Sequence, residues 1–436
     1  MSLKSKQVLL VCFVVVVVAG ALIFKELISN RRAENDEYKL CVETVLKDAI
    51  REIKEIRGLD PSQVQVEVVT QSWVRENWGK SYAEADKEGI LREERIYKAL
   101  FMIPENASLY EAKVEWAGVT VAAVWQGKIY VVKDYFNPWD TFNAERTLMH
   151  ELTHILQDKY LRVPDSPTQD GGKARSALIE GDACLMEEAY ANKTKTHDLL
   201  AEITNAEPSK VRVQGLQFSE YSASIPDSIS RLNYFPYEYG VKFARAIHAM
   251  GGWKTVNQAY KNPPETTEQI MHPEKYFEDE TEKKVDELTI MEKGWRRVKN
   301  ERLGEHFILV MLGNWIPWDE AQRAAEGWGG DNFTYYDKGE DYLFTWNITW
   351  DSVEEASVFY ASFQEMMTKN GAEVKSNSLW EAHGRYLSLK WEGDSTLIIS
   401  STNEATVKKI ADTPQIHGLQ DNFLPMAFII YNAQMK

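Results

Sequence analysis

The stretch His150-Glu151-Leu152-Thr153-His154 is the most informative part of this chain. It lies in an apolar-periodic segment, 144–161, which contains no Gly or Pro and therefore predicts an α-helix. Residues four apart share one face of a helix, so both imidazoles can reach a single metal ion with Glu151 beside them. This spacing predicts a catalytic zinc site. The simpler alternative is a helix whose two histidines are ordinary surface or core residues.

A catalytic zinc ion usually takes three protein ligands, and Glu180 is the predicted third. It lies in a second helical stretch, 173–192, in which four residues share one face: Ala177, Glu180, Gly181 and Cys184. Three of these four are small, so this helix can approach another helix closely. Asp158 is a poorer candidate because it lies about 6 Å beyond His154 along the same helix. The alternative for Glu180 is a solvated charge on an acidic helix.

These residues resemble the ligand set of the gluzincin branch of zinc metallopeptidases. The runs HELTHILQD at 150–158 and ALIEGDA at 177–183 resemble, more specifically, a poorly characterised group of prokaryotic, largely archaeal, cell-surface proteins with a gluzincin-like domain. The likeness continues at 235–240, 267–273 and 327–331, and it covers most of the chain after about residue 140. It implies a zincin-like fold, one Zn²⁺ per chain and peptide or protein substrates.

The sequence departs from the resemblance at one position. In the thermolysin-type pattern an Asp follows the third ligand by four residues and orients a metal-bound His. Here that position is Cys184, and the nearest acid, Asp182, points about 200° away from Glu180 around the helix. The partners of the two His ligands are therefore not identified by the sequence.

The predicted mechanism gives Glu151 the role of general base toward the attacking water. A further donor would stabilise the developing oxyanion. Tyr239 is the predicted donor because its Tyr-rich run precedes an apolar helix, and Tyr237, His248 and His272 are the alternatives. An aromatic turn that packs on the core would explain the same run.

The competing function is a catalytically silent zincin-fold surface protein for binding or adhesion, although a silent site has no need of Glu151.

Two short strands, 119–124 and 128–133, flank Gln126-Gly127, which is typical of a hairpin. In zincins an edge strand of a small sheet lies above the metal-binding helix and pairs with extended peptide. One of these two strands is therefore predicted to receive the substrate by β-augmentation.

The N-terminus predicts a membrane location. Residues 8–24 carry no charge, which favours an uncleaved signal anchor within 1–30 over a cleaved signal peptide. The prediction is a single-pass protein of the cell membrane with its catalytic domain on the extracellular side.

The net charge of −16, from 66 acidic and 50 basic residues, argues against nucleic-acid binding. Cys41 and Cys184 are the only cysteines outside the apolar run, and nothing in the sequence pairs them.

The remaining chain predicts an α+β protein in two parts: a zincin-like domain at 35–275 and a smaller C-terminal α+β domain at 300–436, joined by a charged linker or helix at 275–299. Strand alternation at 342–350 and 387–391 places Trp346, Trp350 and Trp391 on faces that a core would use, although a stacking surface for sugar or peptide is the alternative. The Trp-Gly-Gly-Asp run at 328–331 either binds a ligand or caps a helix.

Overall fold

The computed structural model describes residues 33–194, 225–290, 294–376 and 378–412, together with the backbone of two short strands between 212 and 217. The apolar run 8–24, on which the predicted membrane anchor rests, lies outside the described residues. Within them, no helix is long and apolar enough to cross a membrane.

The protein is α+β, with a helical N-terminal region and a β-rich C-terminal region. The N-terminal helices are α1 (33–57), α2 (Gln71–Val74), α3 (Ser81–Ala85), α4 (Lys87–Ala99), α5 (Leu109–Ala117), α6 (Thr141–Tyr160), α7 (Gln169–Lys193), α8 (Asp227–Gly251), α9 (Trp253–Ala259), α10 (Thr267–Met271) and α11 (Pro273–Phe277), with a π-helical turn Arg75–Lys80 between α2 and α3. The strands of this region are β1 (Val66–Val69), β2 (Ala122–Trp125), β3 (Lys128–Val132), β4 (Arg212–Val213) and β5 (Leu216–Gln217).

A small sheet lies over α6. Its order is β1-β3-β2, with β1 parallel and β2 antiparallel to β3, so β2 is an edge strand. The predicted hairpin is confirmed: Gln126 and Gly127 have φ of 51° and 73°, as a two-residue type I′ turn requires. Apolar side chains of α1, α6 and this sheet form one core cluster, which includes Ile53, Ile129 and Leu152. The sheet and α6 are therefore held together by a shared core.

The helices α7 and α8 cross where both have small residues. A Cβ on Gly181 would overlap the carbonyl oxygen of Gly240, and a Cβ on Gly240 would overlap that of Ala177. The prediction that the small face of α7 allows a close approach is thus confirmed, and the partner is α8. This crossing fixes the rotation of α7 about its axis, and with it the direction in which Glu180 projects.

We expect Gly181→Ala to lower the free energy of unfolding by about 2 kcal/mol or more, because the added methyl group must push two packed backbones apart. The matched control is Gly172→Ala on the same helix, where an added Cβ would meet nothing within 4 Å. That variant should be stabilised by about 0.5–1 kcal/mol, since Ala favours helix more than Gly does. Chemical denaturation of both variants tests the crossing, and equal stabilities would contradict it.

Pro236 lies inside α8, so the Tyr-rich run that was predicted to precede a helix, or else to form an aromatic turn, is itself part of the helix. Proline has no N–H to donate to the carbonyl four residues earlier. That carbonyl belongs to Leu232, and it accepts a hydrogen bond from the Lys173 ammonium instead, at 3.0 Å. Burial lowers the pKa of Lys173 to about 8. A lysine of α7 therefore compensates for the proline of α8.

The C-terminal region is a seven-stranded antiparallel sheet with helices packed on it. Its strands are β6 (Arg296–Glu301), β7 (Trp328–Lys338), β8 (Asp341–Trp350), β9 (Glu373–Ser376), β10 (Leu379–Ala382), β11 (Arg385–Glu392) and β12 (Ser395–Ser401), in the order β6-β7-β8-β12-β11-β10-β9. Its helices are α12 (Glu305–Gly313), α13 (Trp318–Ala325), α14 (Val353–Lys369) and α15 (Glu404–Ala411). One face of the sheet shares a core cluster with residues of α4 and α5, so the two regions are packed together.

The tryptophan predictions are confirmed in part. Trp346 and Trp350 are fully buried, whereas Trp391 is 42% exposed and its prediction as a core residue is wrong. Trp391 lies near the end of β11, where its ring contacts Tyr360 of α14, with centroids 5.5 Å apart, and its indole N–H donates to the Gly393 carbonyl. The alternation of side chains along β11 predicted correctly which face of the sheet Trp391 lies on. It could not predict how far along the strand α14 covers that face.

The run at 328–331 has a structural role. The Asp331 carboxylate is buried and accepts four hydrogen bonds, from the Leu303 and Gly304 amides just before α12 and from the Trp328 and Trp346 indoles. Gly330 leaves room for the backbone of Lys283 and Gly329 for its side chain, and the Lys283 amide donates to the Gly329 carbonyl at 2.6 Å. The charged segment 278–290 has no helix or strand and packs against the sheet at this point.

Candidate metal centre and cleft

The three predicted ligands lie together where α6 and α7 run side by side. The Glu180 Oε2 atom lies 3.1 Å from His150 Nε2 and 3.5 Å from His154 Nε2. The ligand atoms of all three residues lie within 4.8 Å of one another. Two helices therefore bring two imidazole nitrogens and one carboxylate oxygen to a single point.

This donor set fits a zinc ion, and so does the charge distribution around it. Burial alone would raise the pKa of Glu180, but the adjacent His154 and His150 outweigh that effect and lower it. Burial alone would lower the pKa of His154, but Glu180 raises it. The carboxylate is thus ionised, and it is the negative group toward which the Nε2 atoms of both imidazoles are directed. A divalent cation would satisfy the same three atoms.

The Glu151 side chain lies next to these ligands and is almost fully buried. Its Oε2 atom has no hydrogen-bond partner among the described residues. Burial raises the pKa of this carboxyl group, and the neighbouring histidines oppose that shift. A buried, unpartnered carboxylate oxygen beside a metal-type donor set is where a water molecule would be expected.

His150 has a carboxylate partner that the sequence did not identify. Its Nδ1 atom lies 2.8 Å from Glu187 Oε1, and the other Glu187 oxygen lies 3.3 Å from Arg146 Nε. Glu187 is seven residues after Glu180, two turns along the same face of α7, so helical spacing could have suggested it. The Cys184 Sγ atom also lies within 4.8 Å of ligand-type atoms of His150 and Glu187, and burial raises the pKa of its thiol to about 11. Both Cys184 and Cys41 are free thiols.

His154 has an amide partner on its own helix. Its Nδ1 atom lies 2.8 Å from Gln157 Oε1, which leaves Nε2 directed at Glu180. The Gln157 amide then donates to Asp182 Oδ2 at 3.2 Å. Asp182 also accepts from Arg57 at 3.0 Å and from the Tyr260 hydroxyl at 2.8 Å. Asp182 therefore supports His154 indirectly, through Gln157.

We expect Glu187→Gln to weaken zinc affinity by about 10- to 100-fold, since partners of this kind orient a ligating imidazole and raise its basicity. Isothermal titration of the metal-free protein with zinc measures this change. Glu188→Gln is the matched control, because Glu188 is next in sequence but pairs with Arg245 instead of a ligand. Equal zinc affinities of the two variants would contradict a role for Glu187.

The structure does not bring Tyr239 to the centre. Tyr239 packs against Phe235 and His306, with ring centroids 5.4 and 5.8 Å away. Tyr237 lines the cleft instead, and its ring stacks on His150 at 6.4 Å. Residues two apart on a helix point about 200° away from each other, so only one of the two tyrosines can face the metal centre. We therefore correct the choice of donor from Tyr239 to Tyr237, whose pKa is raised by burial, so its phenol keeps its proton.

The other two candidate donors also lie elsewhere. The His248 ring packs against Trp253, with centroids 4.7 Å apart. His272 Nε2 lies 3.0 Å from the buried Glu305 carboxylate. Neither histidine lines the cleft around the candidate metal centre.

The candidate metal centre opens into a cleft of about 770 Å³. Besides the centre itself, its lining residues include Trp116, Val119, Thr120, Ala122, Ala123, Val124, Asp158, Leu161, Arg162, Val163, Ile179, Tyr234, Tyr237 and Tyr260. The edge strand β2 thus forms one wall.

The hydrogen bonds of β3 show which backbone groups of β2 remain free for a further strand. The Val132 amide donates to the Val121 carbonyl, whereas the Ile129 amide donates to the Gln65 carbonyl on the β1 side. In an antiparallel pair, alternate residues of a strand direct their N–H and C=O groups toward the neighbouring strand. In β2 the N–H and C=O groups of Ala122 and Val124 therefore point away from β3, toward the open edge of the sheet.

Comparison with known proteins gives one match. Residues 290–411 match the model of a domain of unknown function, DUF8575. This segment covers less than half of the chain and contains the C-terminal sheet but none of the metal-centre residues. No curated protein and no solved structure matches the chain. The resemblance to gluzincins therefore stays a prediction.

Proposed function

We propose that this chain is a zinc-dependent metallopeptidase of the gluzincin type, anchored in the cell membrane by residues 8–24 with its cleft on the extracellular side. The observation that carries the proposal is the convergence of His150, His154 and Glu180 beside the unpartnered Glu151 oxygen, in the lining of a cleft. A structural ion pair between histidines and an acid would not require that second, buried carboxylate.

Each residue of the centre has a role in this proposal. His150, His154 and Glu180 would hold the ion, and Glu187 and Gln157 would keep the two imidazoles in the orientation that points Nε2 at it. The chemistry supplied by a bound zinc ion is Lewis acidity, which polarises a peptide carbonyl and lowers the pKa of water toward neutrality. Glu151 would accept the proton of the attacking water and pass it to the leaving amine. Tyr237 would donate a hydrogen bond to the carbonyl oxygen as that oxygen gains negative charge.

The cleft suits an extended polypeptide. The outward-facing peptide groups of Ala122 and Val124 would pair with a substrate backbone as an added strand. Such pairing presents successive substrate peptide bonds to the cleft without depending on side-chain identity. It favours peptides or unfolded segments of proteins over compact folded substrates.

The experiment that tests the proposal measures the zinc content of the purified full chain and of two single variants, His154→Ala and Glu180→Ala. We expect one zinc ion per chain in the parent and a large loss of affinity in both variants, because each removes one of three ligands. Asp158→Ala is the control, since Asp158 lies in the cleft but not at the centre. Failure of the parent to retain zinc after loading would overturn the proposal and favour a surface binding protein.

A further inference from the structure

One side chain gives the cleft a positive charge of its own. Among the residues that line the cleft, Arg162 is the single Lys or Arg. The remaining charged groups of the lining are the metal-centre residues and Asp158. In a chain with a net charge of −16, an arginine at this position is available to a negatively charged ligand.

The guanidinium of Arg162 makes a hydrogen bond through its Nε atom. Its Nε donates to the Asp158 carbonyl at 3.0 Å, just at the end of α6, and the residue is exposed. Within the described residues, Arg162 takes part in no ion pair. By contrast, Arg146, on the first turns of α6, already pairs with Glu187. The two terminal amino groups of Arg162 form a planar fork of the kind that binds a carboxylate in two parallel hydrogen bonds.

Helix geometry gives the spacing between Arg162 and the metal centre. Tyr160 ends α6 six residues after His154, about 9 Å along the axis at a rise of about 1.5 Å per residue, and Arg162 follows two residues later. An extended peptide advances about 3.3 Å per residue. Arg162 Nε turns back to the carbonyl of Asp158, which lies one turn, about 6 Å, beyond His154. A group bound by Arg162 would therefore lie about two or three extended residues from the bond that faces the zinc ligands.

We propose that Arg162 selects peptides that carry a carboxylate about two or three residues from the reacting bond. This inference rests on the proposed function and extends it to substrate choice. The carboxylate has two sources: an Asp or Glu side chain within a longer peptide, or the free C-terminus of a short one. The first makes the protein an acid-selective endopeptidase, and the second makes it release short C-terminal fragments.

The test measures peptide binding to the zinc-loaded full chain carrying Glu151→Gln, with and without Arg162→Gln. The probe is a synthetic peptide library in which Glu or Gln occupies each position in turn, made with a free or an amidated C-terminus. We expect peptides with Glu at one position, or with a free C-terminus, to bind about three- to tenfold more tightly than their neutral partners. Arg162→Gln should remove this preference, and Arg162→Glu should favour Lys at the same position. Arg51→Gln makes the same charge change at an exposed site on α1 and should leave the preference intact.

The outcomes separate the two proposals. Preference for Glu at one internal position identifies a side-chain carboxylate, and preference for the free C-terminus identifies a terminal one; either supports the inference. Binding without any carboxylate preference, or a preference that survives Arg162→Gln, would overturn the role of Arg162 and leave the peptidase proposal standing. A chain that binds none of the peptides would overturn both.

Discussion

Replacement of Glu151 by Gln is expected to lower peptide hydrolysis by about 10²- to 10⁴-fold while zinc content stays at one ion per chain. The amide has the size and shape of the carboxyl group, so the almost fully buried position should remain packed. It cannot accept a proton, so the water is no longer deprotonated. Because Glu151 is not among the three converging ligand residues, zinc binding should not depend on it.

Three measurements on this variant are needed together: hydrolysis of a peptide library, zinc stoichiometry and thermal stability. Glu145→Gln is the matched control, since Glu145 lies on the same helix but bonds the Tyr190 hydroxyl, away from the candidate centre. It should keep its activity. A Glu151→Gln variant as active as the parent would exclude the general-base role, and loss of zinc in that variant would mean that Glu151 is a ligand.

The helix pair that carries the centre could be predicted from local spacing. The apolar period at 144–161 and the small face of α7 are properties of short segments. They predicted both helices, put His150 and His154 on one face of α6, and placed Glu180 beside the small residues of α7. The hairpin around Gly127 was equally predictable, because its two turn residues need positive φ. Each of these features is determined by one helix or strand, or by two that are neighbours in the sequence.

The parts that were missed depend on how distant elements meet. Tyr239 was ranked above Tyr237 wrongly, because Pro236 allowed either a turn or a helix and two residues along a helix reverse the direction of a side chain. Glu187 was one of several acids on α7; helical spacing puts it on the same face as Glu180, and the position of α6 then brings it to His150. The contact between Arg57 and Asp182 spans 125 residues of sequence. No local pattern could have predicted that contact.

Arg57→Met is expected to lower the free energy of unfolding by about 3–5 kcal/mol, the range for breaking a buried ion pair by removing one partner. Both side chains of the Arg57–Asp182 pair are 0% exposed, and the guanidinium also stacks on Trp253 at 4.2 Å. Methionine fills similar volume but leaves the Asp182 charge uncompensated in the interior. Because Asp182 supports His154 through Gln157, zinc affinity should fall as well.

The control for Arg57→Met is Arg51→Met on the same helix, whose pair with Asp48 is exposed. This change should cost at most about 1 kcal/mol. A double variant, Arg57→Met with Asp182→Asn, tests the cause of the loss: Asn leaves no buried charge and retains an acceptor for the Tyr260 hydroxyl. It should recover part of the stability lost in Arg57→Met alone. Chemical denaturation of the metal-free proteins measures all three variants, and an Arg57→Met effect no larger than that of Arg51→Met would contradict the buried pair.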